Sequence, residues 1–116
     1  MKIEERFSKN LNDIFWPTKD QVKNEMWNVG GILKKQSNQI FKFDVRDMSK
    51  LENNLLGKYG NTQSKAEKFV FETLNKWIIL DIEELHNYIK NNKLNTVHLE
   101  DLIDNLNWNM YINKDN

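Results

Sequence analysis

Residues 30–47, Gly-Gly-Ile-Leu-Lys-Lys-Gln-Ser-Asn-Gln-Ile-Phe-Lys-Phe-Asp-Val-Arg-Asp, hold two runs rich in β-branched and aromatic residues around a polar break. Trp27 to Lys35 and Gln39 to Asp47 therefore read as the arms of a β-hairpin, with Gln36-Ser37-Asn38 as its turn. Successive side chains of a strand point to opposite faces, so Phe41, Phe43 and Val45 share one face while Lys42, Asp44 and Arg46 share the other. An acid and a base then stand side by side on one face of a sheet. That geometry suits either a metal-dependent phosphodiester site or an ordinary solvated strand face. Gly30-Gly31 in the first arm predicts a bulge or a close backbone approach.

Upstream, Ile3, Phe7, Leu11 and Ile14 recur at helical spacing between Glu4, Glu5, Lys9 and Asp13, which predicts an amphipathic helix over 3–15, stopped by Trp16-Pro17. Thr18 followed by Gln21 has the form of a capping box and predicts a second, short helix through Met26. Downstream, Ser49 caps a predicted helix bearing Leu51, Leu55, Leu56 and Tyr59, closed by Gly60. Ser64 to Leu80 fits two periods. Ala66, Phe69, Val70, Leu74, Trp77 and Ile78 form a helical stripe, whereas Phe69-Val70-Phe71 and Trp77-Ile78-Ile79-Leu80 are strand-like runs around a break at Asn75. We favour a second hairpin, because Asp81 and Glu84 then cap a helix with Ile82, Leu85 and Ile89 inside. Leu99, Leu102, Ile103 and Leu106 mark a last helix, and Asn107 to Ile112 an extended tail packed through Trp108, Met110 and Ile112. The expected architecture is one α/β (α+β) domain over residues 1–116, a small mixed sheet of two hairpins flanked by about five helices.

A chain of 116 residues has room for one core. Seventeen Lys and Arg balance seventeen Asp and Glu, so the net charge demands neither a nucleic acid nor a membrane, while a local patch remains open to either. The absence of cysteine removes disulfides, thiolate metal sites and cysteine nucleophiles, and fits a cytoplasmic setting. Met1 to Arg6 carries acids where a signal peptide needs an apolar core, and the longest apolar run, Trp77 to Leu80, is far too short to span a bilayer. A soluble protein with no membrane partner is expected.

Magnesium-dependent nucleases hold a hard cation through carboxylate oxygens, with a nearby side-chain cation to orient water or stabilise phosphate charge. Asp44-Val45-Arg46 on the second arm resembles the acid-x-Lys half of the PD-(D/E)XK motif of the restriction-endonuclease-like superfamily, which includes the Holliday-junction resolvases. The resemblance places the first-strand acid near Asn28 and a first-helix acid at Glu4 or Glu5, and the order of elements over residues 3–91 is similar to that family's core. It implies a restriction-endonuclease-like fold, Mg2+ as cofactor and nucleic acid as substrate, with Asp44 as metal ligand, Arg46 as phosphate partner, and Glu5 and Asn28 in support. Two departures bear on activity. Asn28 is a weaker ligand than a carboxylate, and Arg46 is a broad fork where the family has a compact ammonium, so an impaired member fits as well as an active one.

Other chemistry is sparse. His86 and His98, with no cysteine, do not make a zinc signature, and Gly30-Gly31 lacks the Gly-x-x-x-x-Gly-Lys form of a phosphate loop. Trp16, Trp27, Trp77 and Trp108 serve a core first and a partner second. Asp81, Glu83, Glu84, Glu100, Asp101 and Asp104 make a C-terminal acidic surface suited to a basic protein partner. The first reading is thus a small nuclease-fold domain that binds or cleaves nucleic acid. A second reading is a non-catalytic protein-binding module, such as an immunity, antitoxin or anti-defence factor using acidic helices and exposed aromatics. Homodimerisation through a sheet edge or the tail is a third.

Overall fold

A computed structural model of the chain describes residues 1–35, 38–47, 64–93 and 104–114. Its strands β1 (Leu11–Phe15), β2 (Val29–Leu33), β3 (Ile40–Asp47), β4 (Lys68–Glu72), β5 (Lys76–Asp81) and β6 (Asn109–Asn113) form one six-stranded sheet in that same spatial order. All neighbours are antiparallel except β3 and β4, which run parallel. Three helices complete the described elements: α1 (Ile3–Ser8), α2 (Lys19–Glu25) and α3 (Ile82–Asn91). A parallel pair cannot be closed by a tight turn, so the chain must cross back between Asp47 and Lys68. The helix expected from Ser49 to Gly60 falls in that crossover and, like His98 and most of the helix expected at Leu99–Leu106, lies outside the described residues.

This layout overturns the expected fold class. In place of two hairpins flanked by about five helices, a restriction-endonuclease-like arrangement, the described residues carry one continuous mixed sheet and three helices. Two segments account for the difference. The predicted 3–15 helix ends at Ser8, where the Asn10 side chain donates to the Phe7 carbonyl at 3.2 Å, and Leu11 then pairs with Leu33 as a strand. Ile3, Phe7 and Leu11 enter the same core whether the chain stays helical or not, so their spacing did not separate the two conformations. The extended tail, in turn, is the sixth strand, in register with β5 from Asn109↔Leu80 to Asn113↔Lys76.

Local signals were read correctly where the chemistry was local. The Thr18–Gln21 capping box is formed in both directions, and the Asp81 side chain accepts from the Glu84 N–H. The hairpin at 64–80 is present as β4 and β5, turned by Thr73, whose N–H donates to the Lys76 carbonyl at 2.9 Å. Gly30 shows the close approach expected of it: the Phe15 ring lies where a Cβ would stand, and the β1–β2 register breaks between Asn12 and Phe15.

Strand alternation divides the interior into two cores. Phe41, Phe43, Val45, Val70, Trp77 and Ile79 point to the face covered by α1, where Phe7 is fully buried with its ring 5.2 Å from Phe43 and 5.3 Å from Trp77. Phe69, Phe71, Ile78 and Leu80 point to the other face, covered by Trp27, Leu106 and the Ile82, Leu85 and Ile89 stripe of α3. Phe69-Val70-Phe71 is buried on both sides, as a central strand with a parallel neighbour should be.

Candidate functional site

Asp44 sits in β3 with its side chain on the face opposite Phe43, as the alternation requires, and is buried. Two residues on, Arg46 turns its guanidinium back on it: Nε lies 2.6 Å from Oδ1 and Nη2 lies 3.1 Å from Oδ2. Both carboxylate oxygens are thereby taken by one fork, the geometry in which an arginine and a carboxylate bind most strongly. The Arg46 side chain keeps 37% exposure while that of Asp44 keeps 4%, so the pair reaches solvent only through the cation.

Asn28, ahead of β2, lines the same groove but its side chain is already used. Its Oδ1 accepts from the Val45 N–H at 2.9 Å and its Nδ2 donates to the Val45 carbonyl at 3.3 Å, while its own N–H donates to the Phe43 carbonyl at 2.9 Å. The amide stands in for one more rung of the β2–β3 ladder. Glu5 is exposed on α1, and α1 covers the Phe43 face, so it does not join Asp44 across the sheet. The structure therefore brings Asn28, Asp44 and Arg46 together and leaves Glu5 apart. A divalent cation would find one carboxylate, already bound in a fork, and no group of three His, Asp or Glu converges among the described residues. The described residues at this groove do not make a donor set for Mg2+.

The groove itself, about 320 Å³, runs between α2 and β3 and is lined by Val22, Lys23, Met26 and Trp27 beside Asn28, Asp44 and Arg46. Sequence reasoning passed over Val22 and Met26, although their spacing of four residues was the available signal. α2 buries none of its residues. Val22 is 47% and Met26 40% exposed, and Trp16, just before Pro17 and the cap, is 51% exposed. The helix is held by its ends instead. The Thr18 box fastens the start, and at the other end the Lys65 N–H donates to the Glu25 carbonyl at 2.7 Å and Ser64 Oγ to the Met26 carbonyl at 3.1 Å.

Of the acids expected on the C-terminal surface, Asp81 and Glu84 are taken up by partners of this chain, while Asp104 is exposed. Asp81 pairs with Lys68 Nζ at 2.8 Å, and Glu84 accepts the N–H groups of Asn107 and Trp108 at 2.9 and 2.8 Å. Glu83 stays exposed, and Glu100 and Asp101 lie outside the described residues. Two further buried charges also went unread. Lys68 lies under Trp108, 3.7 Å from the ring centroid, and Glu72 accepts from Arg6 at 2.7 Å and forms an ion pair with Lys114 at 3.0 Å. His86 is half-buried on α3.

No protein-family model, curated protein or solved structure matches the chain. Among the described residues no helix is long and apolar enough to cross a membrane.

Proposed function

We propose that this chain is a non-catalytic protein-binding module, of the kind that immunity, antitoxin and anti-defence factors represent, docking its partner on α2 and the groove beside it. The observation that carries this reading is a helix with no buried residue, whose Val22 and whose C-cap Met26 are both exposed along the groove. Seven residues are too few to hold a helix on their own. Ordinarily such a helix is kept by laying its apolar face on a core; here caps and backbone ties hold it and that face is left over. An apolar anchor from a partner would fill the groove between α2 and β3, against Met26 and Trp27. Because the charge of Arg46 is spent on Asp44, selection at this groove rests on shape and apolarity, with Lys23 at its rim.

The experiment is affinity capture from the native host with the wild type and with a Val22→Glu/Met26→Glu variant whose circular dichroism is unchanged. A protein retained stoichiometrically by the wild type and lost by the variant is expected. Retention by both contradicts the reading. So does a Mg2+- or Mn2+-dependent cleavage of DNA or RNA that Asp44→Ala abolishes, which would return the groove to nucleic-acid chemistry.

A further inference from the structure

The two ends of the sheet are unlike. At the β1 end, Asp13 takes a left-handed φ of 52° and the register with β2 slips between Asn12 and Phe15, so this edge is kinked and charged in the way edges are guarded against pairing. At the other end β6 keeps unbroken register with β5 over five residues, and no described strand lies beyond it. Its sequence, Asn109-Met110-Tyr111-Ile112-Asn113, contains neither a charge nor a proline. The Lys114 N–H donates to the Asn75 carbonyl at 2.9 Å, and the alternation of an antiparallel ladder then directs the N–H and C=O of Asn109, Tyr111 and Asn113 away from β5.

That strand is also complementary to itself. Read antiparallel about Tyr111, Asn109 meets Asn113, Met110 meets Ile112 and Tyr111 meets its own copy, polar against polar and apolar against apolar. The centre of this symmetry is one of the residues whose backbone groups point outward, so the ladder and the side chains select the same register. Met110, partly buried against the core on the Phe43 face, would lie beside Ile112 of the second copy, which itself keeps 5% exposure. We propose that β6 pairs with β6 of a second copy of this chain about a two-fold axis through Tyr111, joining two sheets into one. The surface is separate from α2, which lies in the β1–β2 connection at the opposite end.

An edge of this length buries less than the ~1,000 Å² that a stable interface should clear, so the dimer should form and dissociate with concentration. Sedimentation from micromolar to millimolar protein is expected to show mass rising from 14.0 kDa toward twice that value. Tyr111→Lys, which sets two ammonium groups side by side, should weaken association by about tenfold or more. The natural chain has no cysteine, and paired Cα atoms about 5.5 Å apart lie within disulfide reach. Tyr111→Cys should therefore cross-link to itself on mild oxidation of concentrated protein, and Ile14→Cys at the guarded edge should not. Should Tyr111→Lys lower the thermal melt, the cysteine comparison decides. A mass of 14.0 kDa at every concentration, a dimer that a folded Tyr111→Lys leaves intact, or equal cross-linking at both positions overturns the proposal. Protection of β6 amides only when a different protein is added to such a monomer would assign the edge to a foreign strand.

Discussion

Lys68 is held where an ammonium is costly, with 7% of its side chain exposed, 3.7 Å from the Trp108 centroid and 4.7 Å from that of Phe41. Its counter-charge, Asp81, is also the cap of α3 and keeps 24% exposure, so water can replace Lys68 around the acid far better than it can replace Asp81 around the amine. Leaving the buried member unpaired is the costly change. Asp81→Ala removes cap and counter-charge together and should cost about 3 kcal/mol. Lys68→Met deletes the charge, keeps the apolar stem and should cost about 1 kcal/mol or less. Urea denaturation of the two variants checks the order, and the reverse order would show that the rings alone carry the ammonium. Tyr111 offers a pH test. Burial, and after it the Asp104 carboxylate, raise its pKa above the ordinary 10.0. The folded state then favours the protonated phenol; that contribution is complete below the ordinary value and is lost as pH rises through the folded one. The wild type should lose stability above pH 10.0 more steeply than Tyr111→Phe, and superimposable profiles would contradict this. At this scale the sequence placed Asp44 and Arg46 on one strand face because alternation is local, yet it could not show that the fork closes on the acid. Asn28 was illegible for a different reason: an amide that substitutes for a ladder rung has no pattern in the chain.

α2 depends on its N-terminal cap. Its start is fastened by Thr18, whose Oγ1 accepts from the Gln21 N–H at 3.2 Å while Gln21 Oε1 accepts from the Thr18 N–H at 2.9 Å. No buried face compensates if that box is lost. Thr18→Ala, worth about 1 kcal/mol at a helix start, should raise hydrogen exchange across Lys19–Glu25 by about fivefold and leave the β4 amides unchanged. Equal acceleration everywhere would mean that α2 is tied into the global unfolding unit. The elements that the sequence yielded, α2, the β2–β3 arms, the β4–β5 hairpin and the start of α3, are all specified by caps or turns within a few residues. Those it missed are specified by partners elsewhere. Leu11–Phe15 becomes a strand because Leu33 and Ile32 are there to pair with it, and Asn109–Asn113 because Lys76–Leu80 presents an edge. Helical spacing of Ile3, Phe7 and Leu11 was real and still misleading, since α1 and β1 deliver those residues to one core.

Across the whole molecule, an apolar interior on both faces of the sheet takes up Trp27, Trp77 and all the buried phenylalanines, while Asp44, Lys68 and Glu72 are each closed by a counter-charge. Among the described residues, Trp16, Val22 and Met26 put three exposed apolar side chains around α2; the other large apolar side chains left exposed are Met1, Ile14, Ile40, Leu74 and Tyr111. Composition could not show this, because the charges balance over the chain and the exposed residues are ordinary core types. The closed Asp44–Arg46 pair, in place of an open acid, is what supports the docking proposal over phosphodiester chemistry. The direct test is hydrogen–deuterium exchange of the chain alone and in complex with the protein it captures. Docking on α2 predicts that slowing on complex formation is concentrated in residues 16–28 and the adjoining part of β3, and that Val22→Glu/Met26→Glu abolishes it. Protection confined to α3, or to the Arg6 and Lys114 side of the sheet, would contradict it.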